Sequence, residues 1–191
     1  MIQAEYKDKE LVIDILCKSF DQNKSVNYVV KQDSKRRKRI KTLMDYSFEY
    51  CYMFGSVYLS NDRKACALIM LPEKKKTSIK SILLDAKMAV SCVGLNRVSK
   101  ILARDAKIKS EYPQSPIYYL WFIGVEPDEQ QKGIGTSLLK ELIKESDELK
   151  RPIYLETSVQ ENIRFYNKQG FNIYNELDFG YKLFLVKRDL N

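Results

Sequence analysis

The chain has 191 residues, enough for one compact domain with a real core, and its 45% apolar and 30% charged content is ordinary for a globular protein. Histidine is absent and the four cysteines are far apart, which argues against zinc chemistry and removes the commonest side-chain base near neutral pH. No apolar stretch reaches the length of a membrane span and Met1 to Lys7 does not read as a secretory leader, so a cytoplasmic protein with no membrane partner and no metal is expected.

Leu11, Val12, Ile15, Leu16 and Phe20 form the first helical stripe. Much of the net charge of +8 sits in Lys35-Arg36-Arg37-Lys38-Arg39-Ile40-Lys41, a run that could attract a polyanion. Ile40, Leu43, Met44, Phe48 and Cys51 then recur at helical spacing. This predicts an amphipathic helix from about Ser34 to Met53 with the charges on its outer side, and it disfavours nucleic acid as a partner. Gly55 breaks the pattern, and 56–59 and 65–71 flank Asn61-Asp62 as a hairpin. Ile79, Ile82, Leu83, Ala86 and Val90 mark another helix, which Gly94 separates from one around Val98 to Ile108.

After Pro113 and Pro116, Ile117 to Val125 is apolar and aromatic almost throughout, predicting a central strand buried on both faces. Gln130-Gln131-Lys132-Gly133-Ile134-Gly135 follows and opens a helix whose apolar face is Ile134, Leu138, Leu139, Leu142 and Ile143. Two glycines let a backbone approach a ligand closely, and the free N–H groups at a helix start favour an anion. Lys132 precedes Gly133 rather than following a glycine as in a nucleoside triphosphate loop, and Leu138 holds the third glycine position of a dinucleotide fingerprint. Both of those readings are disfavoured. Ile153 to Thr157 is a short strand, Asn162 to Gln169 a short helix ended by Gly170, and 171–177 with 181–187 a last hairpin. The class is α/β, with a mixed central sheet of about six to seven strands flanked by helices in a single domain over 1–191.

From Tyr118 onward these elements resemble the GNAT superfamily of acetyl-CoA-dependent N-acetyltransferases. The resemblance rests on Leu120 to Pro127 as core strand and exit, the Gln-x-x-Gly-x-Gly loop, Tyr154-Leu155-Glu156-Thr157-Ser158 as the next strand, and Asn162 to Phe171 with its Tyr-x-x-x-Gly-Phe ending. Many members carry an asparagine seven residues before the tyrosine, where this chain has Val159. Asn162 lies four before Tyr166, a spacing nearer the puromycin N-acetyltransferase-like branch.

The resemblance implies acetyl-CoA as acyl-donor cosubstrate, no metal, and direct attack by a primary amine of a small molecule in a ternary complex, by a monomer or homodimer. Residues 1–116 would shape the acceptor side and 117–191 the acyl-CoA-binding core. It further implies that the backbone of Ile123, Gly124 and Val125 meets the pantetheine arm. Gln131, Lys132, Gly133, Ile134, Gly135 and Thr136 would present donors to the pyrophosphate, with Gln130 bracing the loop. Tyr166 is the candidate acid for the departing thiolate, and Glu156 and Glu126 are candidate bases. Asn162 either contacts pantetheine or caps its helix. A non-catalytic acyl-CoA-binding domain, and an enzyme acting on a peptide or protein amine, are the alternatives.

Overall fold

Apolar side chains at helical spacing and runs of β-branched and aromatic residues divide the chain into elements that converge on one sheet. In the computed structural model, which describes residues 1–190, β1 (Ile2–Gln3) leads into α1 (Lys9–Phe20), α2 (Lys24–Val29) and α3 (Arg36–Phe54). The hairpin β2 (Gly55–Leu59) and β3 (Ala65–Met70) precedes α4 (Ile79–Met88), a π turn over 89–93, and α5 (Val98–Lys109). Then come β4 (Tyr118–Val125), α6 (Ile134–Glu148), β5 (Ile153–Thr157), α7 (Gln160–Asn167), β6 (Asn172–Asp178) and β7 (Lys182–Arg188).

The seven strands run in the order β1-β2-β3-β4-β5-β7-β6, and every pairing is antiparallel except β4 with β5. One face of the sheet packs Val57, Leu59, Cys66, Leu68 and Phe122 against the α1 and α3 stripes. The opposite face packs Ala67, Ile69, Leu120, Ile153 and Leu155 against Leu138, Leu139 and Leu142 of α6 and Ile163 and Tyr166 of α7. Three of the four cysteines, Cys51, Cys66 and Cys92, are buried thiols within this packing.

Two features open the sheet where a site can form. β4 pairs with β5 only at Tyr118–Ile153 and Tyr119–Tyr154, and beyond that point the parallel strands part. On its other edge, the register of β4 with β3 passes from Phe122–Leu68 to Leu120–Ile69, leaving Trp121 as a bulged residue that bends the strand.

Three expectations need correction. β1 and α2 are absent from the sequence reading because each is too short for a periodic pattern; α2 forms on an N-cap, with the Asn23 side chain accepting from the Val26 N–H at 3.1 Å. β4 is central and packed on both faces, with Tyr118 and Leu120 toward α6 and Phe122 toward α1, but its burial is less complete than expected: Tyr119, Trp121, Ile123 and Val125 are half-buried, the last two because they line the opening. The short helix begins at Gln160, not Asn162.

α3 runs into β2 without a loop, and Gly55 makes this possible: a Cβ there would collide with the Ile69 carbonyl oxygen on the paired strand. Gly55→Ala is therefore expected to destabilise the fold by about 3 kcal/mol, the upper range for forced overpacking, measured by urea unfolding. Stability within ~0.5 kcal/mol of the native chain would show that the α3–β2 junction relaxes freely.

Candidate active site

The divergence of β4 from β5 leaves a row of strand backbone without a partner strand. The Glu126 N–H donates to the Lys64 carbonyl at 2.9 Å, so by antiparallel alternation Gly124 and Phe122 turn their backbone to β3, while Ile123 and Val125 turn theirs into the opening. The Val125 carbonyl is already taken there, accepting from Ser19 Oγ at 2.7 Å and Gln130 Nε2 at 3.3 Å. Gly124 is a correction: its backbone pairs with β3. Its missing Cβ makes room for α1, since an added Cβ would lie 3.1 Å from both Leu16 Cδ2 and Ser19 Oγ. Of the three residues, only Ile123 and Val125 turn backbone groups into the opening.

At the end of this strand the Gln130–Gly135 turn carries the chain into α6. Gln131 and Gly133 both adopt positive φ, 62° and 83°, which points successive N–H groups the same way. No N–H from Gln131 to Thr136 finds an acceptor among the described residues, and Gln131, Gly133, Ile134, Gly135 and Thr136 all line one cleft. Gly135 lets α6 lie close to β4, because a Cβ there would sit 3.2 Å from Val125 Cγ2. Lys132 departs from its expected position. It does not line the cleft and is paired with Glu129 at 2.9 Å, so the concentrated positive potential comes from the backbone donors and the α6 dipole.

The cleft has a volume of about 540 Å³ and runs from this turn along Ile123, Gly124 and Val125 to Val159, Asn162, Phe165 and Tyr166 on the α7 side. The Tyr166 ring is fixed between Phe165 and Phe171, at centroid distances of 5.0 and 5.5 Å, and is 5% exposed. Its hydroxyl has no partner among the described residues. Burial pushes its pKa well above the usual phenol value, so it stays protonated as a donor. Asn162 lies exposed on the cleft wall. The capping alternative is excluded, because the N-cap is Val159, whose N–H donates to Thr157 Oγ1 at 3.2 Å.

The two candidate carboxylates separate clearly. Glu126 lies outside the cleft, with both oxygens taken by Lys18 Nζ at 3.1 and 3.3 Å, so the structure does not bring it to the site. Glu156 sits on β5 just past the last β4–β5 pair and accepts from Tyr119 Oη at 2.7 Å and from Tyr112 Oη. Because strand side chains alternate, Glu156 projects to the face opposite Leu155 and Tyr166. Burial raises its pKa above the usual carboxylate value, opposed by the two phenols and by Arg104, which Tyr181 and Ser25 hold at 3.1 and 2.6 Å. Burial, reinforced by the Glu156 charge, raises Tyr112 and Tyr119 as well, so both remain hydrogen-bond donors.

Tyr166 thus lines the cleft as a proton donor, whereas Glu156 lies outside the cleft lining, on the opposite face of the sheet where the two strands part. Sequence reasoning missed Ser19, Phe20, Gln22 and Asn23, which bring the end of α1 into the cleft lining, and it missed Tyr112, Tyr119 and Arg104 around Glu156. No local motif marks these residues, because each arrives by a long-range contact.

Residues 82–171 match the model of the acetyltransferase (GNAT) family. The structure is similar to the C-terminal condensation domain of Ebony in complex with beta-alanyl-dopamine, with TM-score 0.72 and 10% identity over 99% of this chain and 97% of that one. It is similar to the histone acetyltransferase HPA2 and related acetyltransferase from Corynebacterium glutamicum, with TM-score 0.70 and 14% identity over 100% and 95% of the two chains. It is also similar to Arabidopsis thaliana Naa50 in complex with the bisubstrate analogue CoA-Ac-MVNAL, with TM-score 0.55, 13% identity, and coverage of 99% and 97%. At such identities the likeness concerns the fold, which is the GNAT fold. Among curated proteins, 22% identity over 192 residues links the chain to a probable serine/threonine-protein kinase of Dictyostelium discoideum; the alignment covers 90% of this chain and 20% of that protein. The chain therefore spans about a fifth of that relative's length.

If the turn is an anion cradle, Gly133→Glu, which puts a carboxylate and a strained positive φ among its donors, should weaken acetyl-CoA binding by about tenfold or more in calorimetry. Equal affinity in the variant would remove the turn from the donor site.

Proposed function

Starting from a GNAT acetyltransferase domain, we propose that this chain transfers an acetyl group from acetyl-CoA to a primary amine of a small molecule, by direct attack in a ternary complex. The observation that carries the reading is the run of unpaired N–H groups from Gln131 to Thr136 opening into the same cleft as the Tyr166 hydroxyl. Pyrophosphate oxygens match those donors, and a pantetheine arm, itself an amide chain, matches the outward backbone of Ile123 and the Val125 N–H. Naa50 held with a CoA-bearing bisubstrate analogue shows that this fold accommodates such a donor in that protein. The finer placement near the puromycin N-acetyltransferase-like branch rests on the Asn162–Tyr166 spacing.

In the reaction, the amine nitrogen forms a bond to the thioester carbon, the carbonyl oxygen gains negative charge, and the carbon–sulfur bond then breaks. A strand N–H in the opening, from Ile123 or Val125, stabilises that oxyanion. Tyr166 donates its proton to the departing thiolate. An alkylammonium has a reference pKa of about 10.4, so on the order of one molecule in a thousand is neutral near pH 7 and a proton acceptor is required. Glu156 takes that proton, directly or through water, from the face opposite Tyr166. Tyr112 and Tyr119 hold its carboxylate in place.

The decisive assay presents acetyl-CoA with a panel of small amines and N-terminal peptides, and reads free thiol together with the mass of the acetylated product. Turnover of small amines supports the reading. Acetyl-CoA binding without turnover of any acceptor would identify a non-catalytic binding domain, and turnover of peptides alone would move the acceptor class.

Tyr166→Phe is expected to lower kcat by about 100-fold with acetyl-CoA affinity unchanged, and unchanged turnover at saturation would end its acid role. A base must be ionised, so activity should rise with pH through the Glu156 pKa, which burial places above the usual carboxylate value of about 4.3. Glu156→Gln should abolish that limb of the kcat/KM profile. A native-shaped profile in the variant would assign the proton to another acceptor.

A further inference from the structure

The apolar stripe that marks α4 as a helix points away from the protein. Ile79 is 80% exposed, Leu83 64%, Val90 60% and Ile82 55%, with Ala86 exposed between them, while Ser81, Leu84 and Met88 on the opposite side pack inward. Leu95 and Leu102, also exposed, lie on the segments that follow. Isolated surface leucines are commonplace, but an aligned row on one helix is a surface with a purpose.

The rim of this row is positive. Lys74, Lys75 and Lys76, all exposed, lead directly into Ser78 at the α4 N-cap, and none has a carboxylate partner among the described residues. Lys80 and Lys87 flank the stripe on the α3 side, paired with Glu49 at 2.6 Å and Asp45 at 2.7 Å. The nearby acids are engaged elsewhere: Glu73 with Arg151 at 2.5 Å, and Asp85 with the Tyr46 and Tyr50 hydroxyls at 2.8 and 2.7 Å.

We propose that the α4 ridge is a peripheral docking surface for a lipid bilayer bearing anionic headgroups, with Ile79, Ile82, Leu83 and Val90 entering the interfacial layer and Lys74 to Lys76 meeting the headgroups. An apolar helical stripe beside exposed lysines is the pattern of an interfacial helix, and attraction of the lysines adds to the buried apolar area. A second copy of this chain is a poorer fit, because a two-fold contact through the stripe sets each Lys74 to Lys76 cluster near its own duplicate. No span is involved, since no helix among the described residues is long and apolar enough to cross a membrane. The proposal goes beyond the sequence expectation of no membrane partner, which weighed spanning length and a secretory leader.

Sedimentation of the full chain with vesicles of phosphatidylcholine, with and without phosphatidylserine, tests the assignment. Binding to the phosphatidylserine vesicles should exceed binding to pure phosphatidylcholine by about tenfold at low ionic strength and fall as salt is added. Ile79→Ser with Leu83→Ser should abolish it, and Lys74→Gln with Lys75→Gln and Lys76→Gln should weaken it, with unfolding temperature and acetyl-CoA affinity as controls for folding. Failure of the native chain to bind phosphatidylserine vesicles, or binding undiminished in the double serine variant, overturns the proposal. A dimer in light scattering that the double serine variant dissociates, without vesicle binding, assigns the ridge to a second copy instead. Salt-sensitive binding to an acidic polypeptide but not to vesicles assigns it to an acidic protein.

Discussion

The two-residue pairing of β4 with β5 is the constraint on which the site depends. Parallel strands that stayed in register from Tyr118 to Val125 would satisfy each other's backbone and leave no place for a ligand. Because they part after Tyr119–Tyr154, the outward backbone of Ile123 and the Val125 N–H are available, the Trp121 bulge bends β4, and α6 and α7 bring their N-terminal ends and Tyr166 to the same opening. Unpaired backbone in a protein interior is costly unless something satisfies it. Part of that demand is met from α1, whose Ser19 caps the Val125 carbonyl, and the proposed pantetheine arm would meet the rest.

Charge at the site is organised without the side chain most often used for proton transfer. In the absence of histidine, the sheet separates two oxygen acids by burial: Tyr166 stays a protonated donor on the α7 face, and Glu156 is a carboxylate with an upward-shifted pKa on the other. The positive potential of the turn also comes from backbone rather than side chains, since Glu129 occupies Lys132. A site built this way depends on conformation more than on residue identity, and the positive φ of Gln131 and Gly133 matters as much as the motif's letters.

The sequence was most legible where one element's pattern suffices. The α6 stripe, the β4 run, the two hairpins and the Gln130–Gly135 turn are all written in contiguous residues, and all form within one or two positions of their predicted places. What the sequence concealed is what partners decide. Glu126 and Glu156 look equivalent at strand ends, yet Lys18, distant in sequence, removes the first while Tyr112 and Tyr119 frame the second. The Gly124 backbone is expected from the sequence to meet a ligand, yet it pairs with β3, and the missing Cβ makes room for α1. The stripe over 79–90 named a helix correctly but could not say which way it faces, because periodicity fixes a face without fixing its neighbour.

Tyr119 belongs to the last backbone pair before the strands separate, and its hydroxyl reaches across the sheet to Glu156 on the departing strand. That bond acts as a rivet at the apex of the wedge, fastening side chains where the ladder ends. The carboxylate that the proposed mechanism uses as base also ties the two halves of the sheet together, so under that proposal its charge state has two duties. In the proposed cycle, protonation of Glu156 would weaken an ionic acceptor at the apex, and release of that proton to solvent would restore it. On that reading, proton transfer to Glu156 is coupled to how firmly the wedge is held, and the apex is loosest just after acetyl transfer.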